Sequence, residues 1–115
     1  MSYTKVLTFA MILIGMSLQA QSPETVTKYN EGVAAAKEKN YEAAIVAYSA
    51  AITSDPLYSK AYYGRGTAKM SIKDYPAAAV DFKKCLKLDQ ENGKAHYYAG
   101  YSLMNMEQNL SLIHI

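Results

Sequence analysis

The 115-residue chain has no tryptophan, two phenylalanines and a single cysteine, Cys85. One thiol excludes an intramolecular disulfide and any cysteine-based metal cluster. The only histidines, His96 and His114, lie 18 positions apart, which is not a metal-ligand spacing. Neither sign of charge dominates: 12 Lys and Arg stand against 10 Asp and Glu, a formal +2. That balance makes no case for nucleic acid or an anionic membrane as a partner. With half the residues hydrophobic and 19% charged, the chain is not a disordered polyelectrolyte either. The length allows one small domain and leaves no room for a large multi-layer enzyme. Tyrosine is what the chain has in excess, with 11 copies.

The most apolar stretch, Val6–Leu18, is 13 residues without a charge. As a helix it would reach about 20 Å, short of the ~30 Å hydrocarbon core of a bilayer. Lys5 precedes it, and the small or polar residues Ser17, Gln19, Ala20, Gln21 and Ser22 follow. That order predicts a secretory signal peptide cleaved after Ala20, with no stable membrane span afterwards. The segment resembles the signals of exported bacterial proteins, which places the chain in the periplasm or at the cell envelope.

A 34-residue period runs through the rest. Gly32, Gly66 and Gly100 are each 34 apart, and so are Tyr29, Tyr63 and Tyr97. Tyr41 maps to Tyr75, Ala44 to Ala78, Tyr48 to Phe82, Ala51 to Cys85 and Asp55 to Asp89. Apolar residues within each period recur at i, i+3, i+4 and i+7, the spacing of a helix with one buried face. The spacing predicts helices over 25–39, 41–54, 59–72, 75–88 and 93–106, and no strands. Asp55-Pro56 ends the first pair, because Pro cannot continue the hydrogen-bond ladder. Asn40 and Asp74 stand where second helices begin and can cap their free amides. Pro76 falls in a first turn, where a missing N–H costs nothing.

This pattern resembles the tetratricopeptide repeat, a 34-residue helix pair with small and aromatic residues at set positions. Repeat one carries Gly32, Tyr41, Ala44, Tyr48, Ala51 and Pro56. Repeat two carries Tyr62, Gly66, Tyr75, Ala78, Phe82 and Cys85. A third opens with His96 and Gly100. Departures are Lys28 and His96 for the first aromatic and Gln90 for the proline. The resemblance implies an all-α fold: a right-handed superhelical solenoid of antiparallel helix pairs, about two and a half units long. Pairs must stack, since one cannot bury its apolar face alone.

The domains so read are a signal peptide at 1–20, a linker at 21–24, repeats at 25–58 and 59–92, and the first helix of a third repeat at 93–109. The period calls for an aromatic at Asn109, and Leu110–Ile115 carries no trace of the repeat. That hexapeptide resembles the in-frame translation of a transposon-end adapter used in sequencing libraries, so 110–115 reads as a non-native tail.

No motif in the sequence implies catalytic chemistry. Gly64-Arg65-Gly66 begins like a dinucleotide fingerprint but lies inside a predicted helix with no preceding strand and no third glycine. No spacing implies a Ser-His-Asp triad. Cys85 falls where the repeat wants a small buried residue. Lys83, Lys84 and Lys87 read as a solvated helix face. No catalytic residue, metal, cofactor or small-molecule substrate is expected.

What remains is a surface. In the resembled family the first helices line a concave groove, which by register holds Tyr29, Val33, Lys60, Tyr63, Thr67, Lys94, Tyr97 and Tyr101. Stiff tyrosines and flanking lysines would suit a peptide. The family's chaperone-tail variant uses Lys and Asn as a carboxylate clamp. Tyr29 and Val33 stand at the first two of those places, so the clamp is not implied here. The expected function is therefore a non-catalytic protein–protein interaction module of an exported bacterial protein. Two alternatives stand beside it. One is the N-terminal adaptor of a longer envelope enzyme or peptidoglycan-associated protein. The other is a scaffold that self-associates through its uncovered last helix.

Overall fold

A computed structural model describes residues 21–113 of the chain, with side-chain environments through residue 108. The signal peptide expected at 1–20 lies outside the described residues, and so do the side chains of the expected tail. Among the described residues five helices follow one another: α1 (Pro23–Lys37), α2 (Tyr41–Ser54), α3 (Ser59–Ser71), α4 (Tyr75–Leu88) and α5 (Gly93–Ile113). Among the described residues there is no strand. Helices α1 and α2 form one pair and α3 and α4 the next, with α5 beginning a third; α3 also touches both α1 and α5. This is the stacked helical architecture expected from the period.

Each boundary has a local cause. Ser22 accepts the Thr25 amide, and Pro23 occupies the first turn, so α1 starts two residues before the expected Thr25. Asn40 and Asp74 accept the amides of Ala43 and Ala77, as their positions suggested. Asn92 does the same for Ala95 at the head of α5. The first helices of both complete pairs end alike. Lys39 and Lys73 take left-handed backbone angles, φ 60° and 64°. The next amides, of Asn40 and Asp74, then reach back to the carbonyls of Ala35 and Lys69, both at 2.9 Å.

The fifth helix does not stop at Met106 as expected; it runs to Ile113. Glu107-Gln108 stands where Lys73-Asp74 makes the turn in the second repeat. Gln108 lacks the short acceptor that caps a new helix, and both residues favour helix, so the turn is not made.

Packing centres on two rings. Tyr48 of α2 is 4% exposed and wedged between two first helices. A Cβ at Gly32 of α1 would lie 2.6 Å from its ring, and a Cβ at Gly64 of α3 would also lie 2.6 Å away. Phe82 of α4 is fully buried against Gly66, with 2.9 Å to the missing Cβ. The helical glycines have ordinary negative φ, so they supply space and not backbone freedom. Gly32 closes a pair as expected, whereas Gly64 joins two successive pairs through the same ring. Cys85 is buried in the Phe82 cluster with Tyr62, Ala78, Ala95 and Ala99.

A charged cluster that breaks the period sits at the junction of the two pairs. Asp81 of α4, 2% exposed, accepts two bonds from the Arg65 guanidinium at 2.9 and 2.8 Å. Lys69 Nζ lies 3.0 Å from the same carboxylate. Arg65 also donates to Ser49 of α2 at 3.1 Å and stands 5.8 Å from the Tyr62 ring centroid. One guanidinium thereby ties α2, α3 and α4 together. The equivalents of Asp81 and Arg65 in the first repeat are Ala47 and Glu31, so no repeat logic announced it.

Candidate peptide groove

The eight residues expected to line the groove fall into three environments. Tyr29 and Val33 of α1 are half-buried against the Tyr48 cluster. The Tyr29 ring lies 5.7 Å from Tyr48 and 5.4 Å from Tyr58, edge-on to the latter. Tyr63 of α3 is likewise half-buried, 6.0 Å from Phe82 and 6.3 Å from Tyr98. Burial, then the neighbouring Tyr98, raises its phenol pKa above the ordinary value. Thr67 is half-buried and donates its hydroxyl to the Gly64 carbonyl at 2.7 Å. Tyr29, Val33 and Tyr63 thus pack against core clusters, while Thr67 is tied to its own helix.

Lys60 and Lys94 stand in solvent at the heads of α3 and α5. Among the described residues neither makes an ion pair, leaving both ammonium groups available to an acidic partner.

Tyr97 and Tyr101 of α5 form the third environment. They are 66% and 39% exposed, large aromatic area that a folded chain ordinarily covers. Their rings stack at 6.5 Å with 23° between planes. Tyr97 is also edge-on to Tyr98 at 5.2 Å, and Tyr101 edge-on to Tyr75 at 6.4 Å. Together with Met70 and Ser71 at the end of α3, these four tyrosines wall an open depression of about 380 Å³. Helix spacing explains how α5 builds its side of it: 94, 97 and 101 fall on one face.

The depression adds Tyr75 and Tyr98 to the residues expected from sequence. Tyr75 is one of the aromatic positions of the second repeat, and Tyr98 stacks on Phe82 at 5.9 Å. A signal existed in the doublet Tyr97-Tyr98, since adjacent helical residues point about 100° apart and cannot both be buried against one neighbour. A second open depression, about 510 Å³, lies on the outer side of the first pair among Ala35, Ala43, Val46, Ala47 and Ala50, with Lys28 and Glu31 at its edge. It has no aromatic wall.

Nothing in the arrangement resembles an activated nucleophile. Burial pushes the Cys85 thiol above its ordinary pKa, helped by Asp89 and opposed by a 3.7 Å contact from Asn92. It is therefore held protonated and out of reach. Among the described residues no three His, Cys, Asp or Glu side chains gather where they could hold a metal ion. No described helix is long and apolar enough to cross a membrane.

Comparison with known proteins agrees with the stacked helix-pair fold. Tetratricopeptide repeat models match residues 59–92 and residues 27–56, together more than half of the chain. No curated protein matches the sequence significantly. Among solved structures, an Arabidopsis OM64 TPR domain superposes with a TM-score of 0.71 at 24% identity, over 74% of this chain and 70% of that one. The second TPR of Spaghetti (RPAP3), bound to the HSP90 peptide SRMEEVD, gives 0.72 at 24% identity, over 75% of this chain and 80% of that one. The first TPR of the same protein, bound to the same peptide, gives 0.71 at 23%, over 72% of this chain and 66% of that one. At these identities the likeness is one of fold.

Proposed function

The chain belongs to the tetratricopeptide repeat family, and from that premise we propose that it is a non-catalytic interaction module of an exported protein. It takes a peptide segment of a partner protein along the face of α1, α3 and α5. The observation that carries this reading is the exposed tyrosine cluster. Tyr97 and Tyr101, with Tyr75 and Tyr98 behind them, offer stiff aromatic area beside an open cavity of about 380 Å³. Such area lends itself to hot-spot contacts. Lys94, one turn before Tyr97 on α5, favours an acidic side chain next to the residue that enters the cavity, and Lys60, at the opposite end of α3 from Met70 and Ser71, favours a second one farther along the peptide. Structures of the same fold bound to an HSP90 peptide lend support. The peptide taken here differs in its anchoring, because Tyr29 and Val33 replace two clamp positions and both pack into the interior.

The test is to pan a random-peptide phage library against the immobilised chain. Enriched peptides should lose binding to Tyr97→Ser and Tyr101→Ser variants whose helicity by circular dichroism is unchanged. These exposed positions are the right probes; Tyr63→Ala would open a cavity beside Phe82 and confuse binding with folding. Absence of enrichment, or enrichment indifferent to both serines, overturns the proposal. Export rests on Lys5, Val6–Leu18 and Ala20. N-terminal sequencing of the product from a secreting host should begin at Gln21.

A further inference from the structure

The tyrosine-walled depression lies between α5 and the pair before it: Met70 and Ser71 of α3 and Tyr75 of α4 wall it together with Tyr97, Tyr98 and Tyr101. In both complete pairs the second helix inserts its ring at a glycine, Tyr48 at Gly32 and Phe82 at Gly66. A helix following α5 would by the same rule pack at Gly100, which does not line the depression.

The chemistry of the walls restricts what can enter. No carboxylate lines the depression, and the adjacent Asp74 caps α4 by accepting the Ala77 amide at 3.4 Å. Lys94 stands one turn before Tyr97 and Lys73 two residues before Tyr75, both exposed. A cationic ligand would find aromatic faces but also two ammonium groups that repel it. Among the described residues none of the four tyrosine hydroxyls of the wall makes a hydrogen bond, so each is free to donate to an acceptor that enters. No strand edge exists among the described residues, so a β-strand ligand would find no ladder to join.

Resting on the peptide reading above, we propose that the segment taken here carries proline and lies in the polyproline II conformation. A helical ligand satisfies its own backbone carbonyls and would bury the phenol hydroxyls unpaired. A polyproline II segment has no internal hydrogen bonds, and its carbonyls, one every ~3.1 Å, stay free to accept from them. Proline brings no N–H, so a wall without a carboxylate leaves no proline donor stranded. Its flat ring suits aromatic faces, and Tyr97 and Tyr101 present two of them 6.5 Å apart and 23° from parallel. Tyrosine wall and polyproline segment are both stiff before they meet, which lowers the cost of ordering either. Lys94 then meets an acidic residue beside the proline.

The experiment is fluorescence anisotropy on the full chain with two labelled probes. One is a Pro-Pro-Glu repeat peptide, the other an Ala-Ala-Glu repeat of equal length and charge that favours helix. The proline probe should bind at least about tenfold more tightly. Tyr97→Phe and Tyr101→Phe keep the aromatic wall and remove one hydroxyl each. Each should weaken the proline probe by about three- to tenfold, with helicity by circular dichroism unchanged. Equal affinity for the two probes overturns the proposal, as does a proline probe that fails to bind or that ignores both phenylalanines. Phage-selected peptides that lack proline yet depend on Tyr97 and Tyr101 would refute this class of ligand and leave the groove standing. Loss of those peptides as well would remove both.

Discussion

Replacing a glycine by alanine should have opposite signs at Gly64 and Gly100, although both lie inside helices. Alanine gains about 1 kcal/mol over glycine in a helix interior from propensity alone. At Gly100 nothing opposes that gain, since no atom lies within 4 Å of the new methyl. Gly100→Ala should therefore stabilise the protein by about 0.5–1 kcal/mol, a rise in Tm of roughly 2–8 °C for a domain this small. At Gly64 the methyl would sit 2.6 Å from Cζ and 2.7 Å from Cε1 of Tyr48. The ring has little room to shift, because its Cδ1 and Cε1 are also 2.6 Å from where a Cβ of Gly32 would be. Overpacking of this kind costs about 1–3 kcal/mol, here at the upper end because both α1 and α3 press on the ring. The net for Gly64→Ala is then a loss of about 1–2 kcal/mol and a Tm lower by roughly 5–15 °C. Thermal melts followed at 222 nm by circular dichroism decide the matter. Tyr48→Ile in the same chain should remove most of the additional loss, as expected for coupled neighbours. A Gly64→Ala protein that melts as high as Gly100→Ala would refute the wedge.

Three further outcomes follow from the same structure. Asp81→Ala strands Arg65 and Lys69, whose side chains are 21% and 19% exposed, and should cost about 2–4 kcal/mol in urea unfolding, much more than Asp74→Ala at an exposed cap. Burial, with Tyr29 beside it, raises the Tyr48 phenol from 10.0 to about 12. A pKa raised on folding means that the neutral phenol is favoured in the fold, so the stability is full below pH 10 and lost between 10 and 12, by about 2–3 kcal/mol; Tyr48→Phe should lose less over that window. Lys39→Gly and Lys73→Gly, at left-handed positions, should each stabilise by about 0.5–1 kcal/mol in the same melts, and no gain at either would refute the reading of those turns.

Much of the fold was legible because it repeats. A 34-residue period with small and aromatic residues at set places determines helix pairs that must stack, since each pair exposes an apolar face until the next one covers it. Asn40, Asp74 and Pro56 marked boundaries for reasons that operate within a few residues. The tyrosine ladder at 29, 63 and 97 was legible as a ladder, but not its division. Tyr29 and Tyr63 are drawn into the interior by Tyr48 and Phe82, while Tyr97 stays in solvent. Helix register places a residue on a face; whether that face is covered depends on the helix that comes next.

The local code thus determined by itself where helices begin, how long most of them are, and that they pair. It determined that Gly32 and Gly66 give room to rings. Only the tertiary structure decided that Gly64 also packs against the Tyr48 ring, that Arg65 and Lys69 converge on Asp81, and that Tyr75 and Tyr98 wall a cavity with Tyr97 and Tyr101. Each of these contacts joins residues on different helices at positions the period does not equate, and the periodic pattern records only the interactions that repeat.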